Sequence, residues 1–220
     1  MATVTSNKLS FLVNPALWEL GDDGLSSLSK TSANIKEKMC ANTIDDIVIE
    51  VLNEVDWICV SKRDTSLTSN SNIVKDEFLY GYDLPSDFIH LIGTPLYYGP
   101  YGIPMNPDNL TNLRKQWRIV GSILETDLLN PDILYVYKTS FDDEDSDEDT
   151  YYTLFDSSLK RSVQTLAKAR WADAVAGKDP VKYEQLYRQI IKEAQSKNDR
   201  NRAYKRIGNT ATRNARLRGR

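Results

Sequence analysis

Few side chains in this sequence could perform catalysis or bind a metal. The chain of 220 residues contains one histidine, His90, and two cysteines, Cys40 and Cys59. No glycine-rich phosphate loop, nucleophile elbow or pair of cysteines at metal-binding spacing accompanies them. Because metal and nucleophilic sites need several such groups together, we interpret His90 as structural. We predict that the protein is not an enzyme and that it holds no metal and no cofactor.

Both cysteines are predicted to lie in one helix over residues 33–60. A helix rises about 1.5 Å per residue, so two cysteines this far apart on one rod could not form a disulfide. We therefore expect Cys40 and Cys59 to be small buried residues in a reducing compartment.

Charge is concentrated in two segments. Residues 142–149 read DDEDSDED, which places seven acids in eight positions. These acids are Asp142, Asp143, Glu144, Asp145, Asp147, Glu148 and Asp149. From residue 201 to the end the chain has seven basic residues and no acid. The basic residues are Arg202, Lys205, Arg206, Arg213, Arg216, Arg218 and Arg220.

Several interpretations of these segments stay open at this stage. The acidic run lacks the central glycine and final glutamate of a calcium loop, since its twelfth position is Thr153. It is either a solvated loop held open by self-repulsion, a repulsive lining of a DNA channel, a docking surface for a basic partner, or a cation site. The basic tail is either a disordered solvated end, a segment that orders on an acidic partner, or a DNA contact.

A third unusual segment, residues 93–109, is rich in tyrosine, proline and glycine. It is predicted to be a long loop that either covers the core or forms a contact surface. Tyr97, Tyr98 and Tyr101 are the candidate interface residues, because tyrosine is enriched at protein interfaces. Trp117 and Trp171 are further candidates for such contacts.

The elements around these segments follow from caps and apolar spacing. Asn14-Pro15 and Asp179-Pro180 are helix starts, and residues 44–55 carry one apolar stripe at the helical period. Helices are predicted at about 15–20, 33–60, 155–176 and 180–197. Residues 61–77 are predicted to be a loop, and a β region is predicted over about 78–141, which includes the loop 93–109. The acidic loop 142–149 follows it.

These elements predict an α+β fold. A helical bundle core, made of the long helix in the N-terminal half and two C-terminal helices, accompanies a small antiparallel sheet that lies between them in the sequence. One domain is expected over residues 1–200, followed by the basic tail 201–220. Neither a membrane-spanning segment nor a secretory signal is expected.

The order of several motifs resembles the tail tubular protein A family of tailed bacteriophages, also called head–tail adaptor or connector proteins. The matching segments are ALWELGDDGLSSL, VLNEVDWICVSKRDTSL, FLYGYDLPSDFIHLIG, WRIVGSILETD with ILYVYKTSF, and the two C-terminal helices. The second segment carries Leu52, Trp57 and the basic pair Lys62-Arg63. The third segment carries the family-motif residues Leu84, Pro85, Asp87 and Phe88.

The resemblance implies a structural virion protein at the head–tail junction, made in the host cytoplasm. It implies a homo-oligomeric ring, typically dodecameric, that joins the portal protein to the tail nozzle or tube, and often to tail fibres. Double-stranded DNA passes through such a ring during ejection. On this reading the basic tail docks on the portal, and the acidic run either lines the channel or serves as a docking surface. The alternative is a nucleic-acid-binding structural or packaging protein that uses its arginine-rich tail.

Overall fold

The computed structural model describes residues 7–71, 78–93, 95, 97–98, 104–105, 117–139 and 146–198. The chain forms two compact units, and the boundaries fall before Trp57 and after Asp143. The helical unit is drawn from residues on both sides of these boundaries, and the β unit is the segment between them. The fold is α+β, as predicted, while the expected domain limits of 1–200 remain a prediction.

The helical unit contains five α-helices among its described residues. They are α1 (Asn14–Glu19), α2 (Ile35–Glu54), α3 (Ser146–Thr153), α4 (Ser157–Ala176) and α5 (181–198), and a π-helical turn (Leu9–Val13) precedes α1. Caps set several of these limits. The Asn34 side chain accepts hydrogen bonds from the first amides of α2, and Gly177 ends α4 in the left-handed conformation. The Asp179 side chain accepts a bond from Val181 N at 2.9 Å, which confirms the predicted start of α5 to within one residue.

The apolar stripe of α2 faces the core, as predicted. Ile44, Val48 and Val51 are fully buried within the helix. The predicted end of the helix at residue 60 is wrong, because α2 stops at Glu54 and Val55 is extended. The chain is extended at Val55 and Trp57, makes a 3-10 turn over Ile58–Val60 and then enters the first strand.

Cys59 therefore does not share a helix with Cys40. It lies in a short 3-10 turn, Ile58–Val60, and is half-buried, whereas Cys40 is buried within α2. Neither cysteine forms a disulfide.

The two thiols should differ strongly in reactivity. Burial raises the pKa of Cys40 to about 12, which removes nearly all thiolate near neutral pH. We expect a small alkylating reagent to modify Cys59 faster than Cys40, by on the order of a hundredfold or more. Mass spectrometry of timed samples measures both rates, and Cys59→Ser should remove the fast phase. Equal rates for the two thiols would contradict the burial of Cys40.

α3 was not expected from the sequence, and the predicted acidic loop 142–149 is wrong from residue 146 onwards. Acidic residues in the first turn of a helix interact favourably with its dipole, so the end of the acidic run is compatible with a helix start. The second half of α3 is held by aromatic packing. The rings of Tyr151, Tyr152 and Phe155 meet edge to face at centroid distances of 5.2 to 5.7 Å, and all three residues are buried.

The β unit contains nine short strands among its described residues. They are β1 (Ser61–Asp64), β2 (Ser69–Asn70), β3 (Tyr80–Asp83), β4 (Phe88–Leu91), β5 (Tyr97–Tyr98), β6 (Pro104–Met105), β7 (Trp117–Val120), β8 (Ile123–Thr126) and β9 (Ile133–Tyr137). One antiparallel sheet has the order β1-β9-β4, a second has the order β2-β3-β8-β7, and β5 pairs with β6. The predicted β region over about 78–141 is confirmed among its described residues, which include the hairpin β7–β8 and the strand β9.

The prediction of a loop over residues 61–77 is wrong at β1 and β2, which are strands. β1 is polar because it lies at the edge of its sheet, where only one side pairs, with β9. Apolar residues of the two sheets form one core, which includes Tyr82, Leu84, Leu124, Ile133 and Tyr135. This core positions the polar residues of the candidate site.

Candidate functional site

The Leu-Pro-Ser-Asp-Phe segment forms a turn in the β unit. Leu84 is buried, and its amide donates to the carbonyl of Ser122 at 2.8 Å. The Phe88 amide donates to the carbonyl of Pro85 at 3.0 Å, which closes the turn just before β4. The turn directs Asp87 towards the neighbouring strands.

Asp87 is the centre of a polar cluster that we call the Asp87 cluster, made of Asp87, Lys62, Tyr135 and Tyr137. Lys62 Nζ lies 2.6 Å from one carboxylate oxygen, and the Tyr135 hydroxyl donates to the other at 3.0 Å. Lys62 Nζ also lies 4.0 Å from the centre of the Tyr137 ring. One side chain on a turn thus joins β1 to β9.

The electrostatics of this cluster do not favour acid–base chemistry. Burial raises the pKa of Tyr135, and the hydrogen bond to Asp87 raises it further. Burial also raises the pKa of Tyr137, although the charge of Lys62 acts in the opposite direction. Both phenols therefore stay protonated near neutral pH, and Tyr135 acts as a donor to a carboxylate. The arrangement holds strands together.

Arg63, the neighbour of Lys62, is bound by a second carboxylate. Its Nε lies 2.9 and 2.8 Å from the two oxygens of Asp132, and its Nη2 also donates to Asp132. The Asp132 side chain is only 3% exposed. The hydrogen bond to Asp132 is the main cause that raises the pKa of Arg63. The basic pair of the family motif therefore has two separate carboxylate partners.

Part of this site is predictable from the sequence. Lys62-Arg63 and Asp87 are family-motif residues, and the structure brings Lys62 and Asp87 together. Asp132 and the role of the Tyr135 hydroxyl were not predicted. Asp132 is 69 positions from Arg63, and no local pattern marks it as a partner. Of the other family-motif residues, Leu52 and Trp57 are buried, and Phe88 packs against the core of the β unit.

His90 lies on β4 and is half-buried. Burial lowers its pKa from 6.5, so the unfolded chain takes up a proton at a higher pH than the folded one does. The described residues contain no group of three or more potential metal ligands.

Acid should therefore weaken the fold through His90. Stability should be lost as the pH falls from about 6.5 through the lower folded pKa, and should be unaffected above that range. The loss should stay below about 1 kcal/mol, because the ring is only partly shielded. Urea titrations between mildly acidic and neutral pH measure it. His90→Gln should flatten this dependence, and an unchanged slope would contradict the assignment.

Several candidate residues lie outside the described part of the chain. These are Tyr101, the first four acids of the run (Asp142, Asp143, Glu144 and Asp145) and all seven basic residues of the tail from Arg202 to Arg220. The backbones of Asp147, Glu148 and Asp149 belong to α3, and those of Tyr97 and Tyr98 belong to β5.

The two candidate tryptophans have different surroundings. Trp117 is half-buried at the start of β7 and packs against the core of the β unit. Trp171 is 1% exposed inside the helical unit, so its prediction as an interface residue is wrong. Its place on an alanine-rich helix, where other helices approach closely, explains why it is buried instead.

No protein-family model matches this chain, and no curated protein sequence matches it. None of the described helices is both long and apolar enough to cross a lipid bilayer. The resemblance to head–tail adaptors therefore depends on the order of the sequence motifs.

Proposed function

We propose that the protein is a structural, non-enzymatic head–tail adaptor of a tailed bacteriophage virion. Copies of the chain form a closed ring, typically dodecameric, between the portal and the tail nozzle or tube. The ring is part of the channel through which DNA is ejected. The observation that carries the proposal is the order of five family-like segments along the sequence, from ALWELGDDGLSSL to the C-terminal helices.

Contacts within the β unit support this reading of the motifs. Two of the five segments meet in the ion pair between Lys62 and Asp87, and both partners were singled out from the sequence as motif residues. This geometry fits an architectural role, since the pair joins β1 to the turn before β4 and the phenols around it stay protonated.

Some exposed apolar residues are available for contacts in the proposed ring. A closed ring needs one face of each subunit to match a different face of the next. In the helical unit Trp18 is 60% exposed and Ile35 is 85% exposed, and in the β unit Leu79 is 70% exposed. Single exposed apolar side chains occur on most protein surfaces, so these three residues are candidate contacts for the proposed ring.

The test is docking on the cognate portal. We expect deletion of residues 201–220 to abolish binding to the portal ring, because the seven basic residues supply charge-assisted hydrogen bonds to it. Negative-stain microscopy and gel filtration of the mixture measure docking. A variant with all seven basic residues changed to glutamine separates the effect of tail charge on docking from the effect of tail length. The double variant Lys182→Gln with Lys192→Gln on α5 is the matched control. Undiminished docking of the truncated chain would refute the role of the tail.

If the full chain never forms a ring with its portal, the proposed function itself is refuted.

The acidic run is proposed to line the channel, where its charge would keep DNA from adhering during ejection. A structure of the assembled ring tests this placement. Carboxylates on the outer rim would exclude a role as channel lining and would favour a role as docking surface.

The second candidate is a nucleic-acid-binding structural or packaging protein. The seven basic residues and the absence of acids in residues 201–220 favour it, because arginine and lysine neutralise phosphates without a folded domain. Tight DNA binding that falls steeply with salt and disappears with the tail would support this function. Weak binding together with ring formation would support the adaptor.

A further inference from the structure

A proline lies inside the first helical segment of the chain. Helical backbone runs without a break from residue 7 to residue 19, and the π-helical turn forms its middle. Pro15 has no N–H, so the carbonyl of Phe11 lacks the donor that an α-helix supplies from four residues later, and the proline ring crowds that carbonyl. The Asn14 amide donates instead to the carbonyl of Leu9, five residues earlier. The π-helical turn is therefore a consequence of Pro15.

The carbonyl that Pro15 leaves without a donor is bound by α4. Gln164 Nε2 donates to the carbonyl of Phe11 at 2.7 Å, and Lys160 Nζ lies 4.3 Å from the centre of the Phe11 ring. Gln164 and Lys160 are four residues apart, so both contacts come from one side of α4. A π turn interrupts the α-helical hydrogen-bond ladder, and helices bend at such places. Phe11 is therefore a fixed point at which the segment can bend.

A buried ion pair holds the residues before this point against α2. We call residues 7–10 the N-terminal turn. Lys8 is 9% exposed, and its Nζ lies 2.8 Å from Asp45 Oδ1. The one large apolar side chain of this turn is that of Leu9. The residues after Phe11 bury a longer row of apolar side chains, namely Leu12, Val13, Ala16, Leu17 and Leu20. The two parts of the segment are thus held by different kinds of contact.

A second lysine lies beside the same carboxylate. Lys30, in the loop before α2, places its Nζ 3.4 Å from Asp45 Oδ2, and its side chain is half-exposed. Asp45 Oδ2 is buried and accepts no hydrogen bond from the residues that the structure describes, although buried oxygens are nearly always paired. A buried carboxylate is costly when its cation leaves and nothing replaces it. Lys30 can replace Lys8, because it needs only a short movement to donate to Oδ2.

We propose that the N-terminal turn is a conformational device that opens at the π-helical turn while the rest of the helical unit stays folded. In the closed state Lys8 pairs with Asp45. In the open state Lys30 donates to this carboxylate, and the chain before Phe11 can change position without exposing the apolar row behind it. The opening belongs to the single subunit, so its failure would leave the proposed function untouched.

Native-state hydrogen exchange of the full chain, followed by NMR, measures this opening. The Asn14 amide is the reporter, because its acceptor is the carbonyl of Leu9. The Ala167 amide, in the buried middle of α4, reports unfolding of the whole unit. After correction for intrinsic rates, we expect Asn14 to exchange roughly tenfold faster than Ala167 or more, at a rate that low urea does not change. Identical rates and urea dependence for the two amides would overturn the proposal.

Exchange of the cation on Asp45 has a signature of opposite signs. Lys8→Met removes the cation of the closed state and should speed Asn14 exchange about tenfold. Lys30→Gln removes the cation of the open state and should slow Asn14 exchange roughly two- to five-fold. Lys38→Gln, at an exposed lysine of α2, is the matched control and should change nothing. Faster exchange in Lys30→Gln would show that Lys30 only supports the closed state, and it would overturn the proposed replacement.

Pro15→Ala tests the place of the bend. Alanine returns an N–H that can donate to the carbonyl of Phe11, so the π-helical turn should become α-helical and the segment should open only as a whole. Asn14 exchange should then slow to the rate of the Leu17 amide in α1. Pro180→Ala, in the turn before α5, is the matched control and should leave Asn14 unchanged. Wild-type exchange of Asn14 in Pro15→Ala would exclude the π-helical turn as the point of opening.

Discussion

Replacing Trp171 with alanine should lower the free energy of unfolding of the helical unit by about 3–5 kcal/mol. Trp171 is 1% exposed and is among the largest fully buried side chains of the described chain. Its indole Nε1 donates to Thr43 Oγ1 at 2.9 Å, which joins α4 to α2. Alanine would leave a cavity that the surrounding helices cannot fill and would remove this hydrogen bond.

Urea unfolding followed by circular dichroism of the helices measures the loss. Trp18→Ala is the matched control, because Trp18 is the same residue type in the same unit but is 60% exposed. We expect its cost to stay within about 1 kcal/mol. Trp171→Phe should fall between the two, since it keeps most of the apolar volume and loses the donor. Equal costs for the two alanine variants would contradict the placement of Trp171 in the core.

The helical unit could be predicted from sequence wherever local signals agreed. The stripe of α2 and the Asp-Pro start of α5 each combine a cap or a period with a helical run, and both are present in the structure. The end of α2 was missed because Val55–Val60 is as apolar as the helix before it. Hydropathy alone does not separate a continuing helix from an extended segment that leads into a strand.

The β unit shows where local sequence stops being sufficient. β1 reads Ser-Lys-Arg-Asp, which has no apolar alternation, and it is a strand because it pairs with β9 more than sixty residues later. Pairing of this kind depends on the tertiary fold rather than on the propensity of four residues. The hairpin β7–β8 was predictable because a turn at Gly121 separates two apolar runs, and this glycine has a positive φ of 61°.

The partners of the charged residues in the β unit also depend on the tertiary fold. Lys62, Arg63 and Asp87 were visible as motif residues, but their partners are set by strand register. Arg63 lies opposite Leu134 in the ladder, which brings it near Asp132 on the same strand region. A single sequence contains no information on such register beyond the alternation of apolar residues. The role of these residues in joining neighbouring strands could therefore be identified only from the structure.

The pair Arg118–Glu125 is expected to be the most sensitive ion pair of the β unit. The two residues face each other across the hairpin β7–β8, and Arg118 Nε lies 2.5 Å from Glu125 Oε2. The Glu125 side chain is only 2% exposed, whereas the arginine is one-third exposed. Arg118→Met keeps the apolar stem but leaves a buried carboxylate without this cation. We expect it to lower the free energy of unfolding of the β unit by about 3–5 kcal/mol.

Hydrogen exchange of the β8 amides measures this loss within the β unit alone. Lys62→Met is the matched control, because its partner Asp87 is 26% exposed and water can solvate the carboxylate that remains. That variant should cost about 1 kcal/mol or less. The double variant Arg118→Met with Glu125→Met should recover much of the stability lost by the single change, since no buried charge is left. If Arg118→Met costs no more than Lys62→Met, burial of the carboxylate does not govern the energetics of this hairpin, and the pair is an ordinary surface contact.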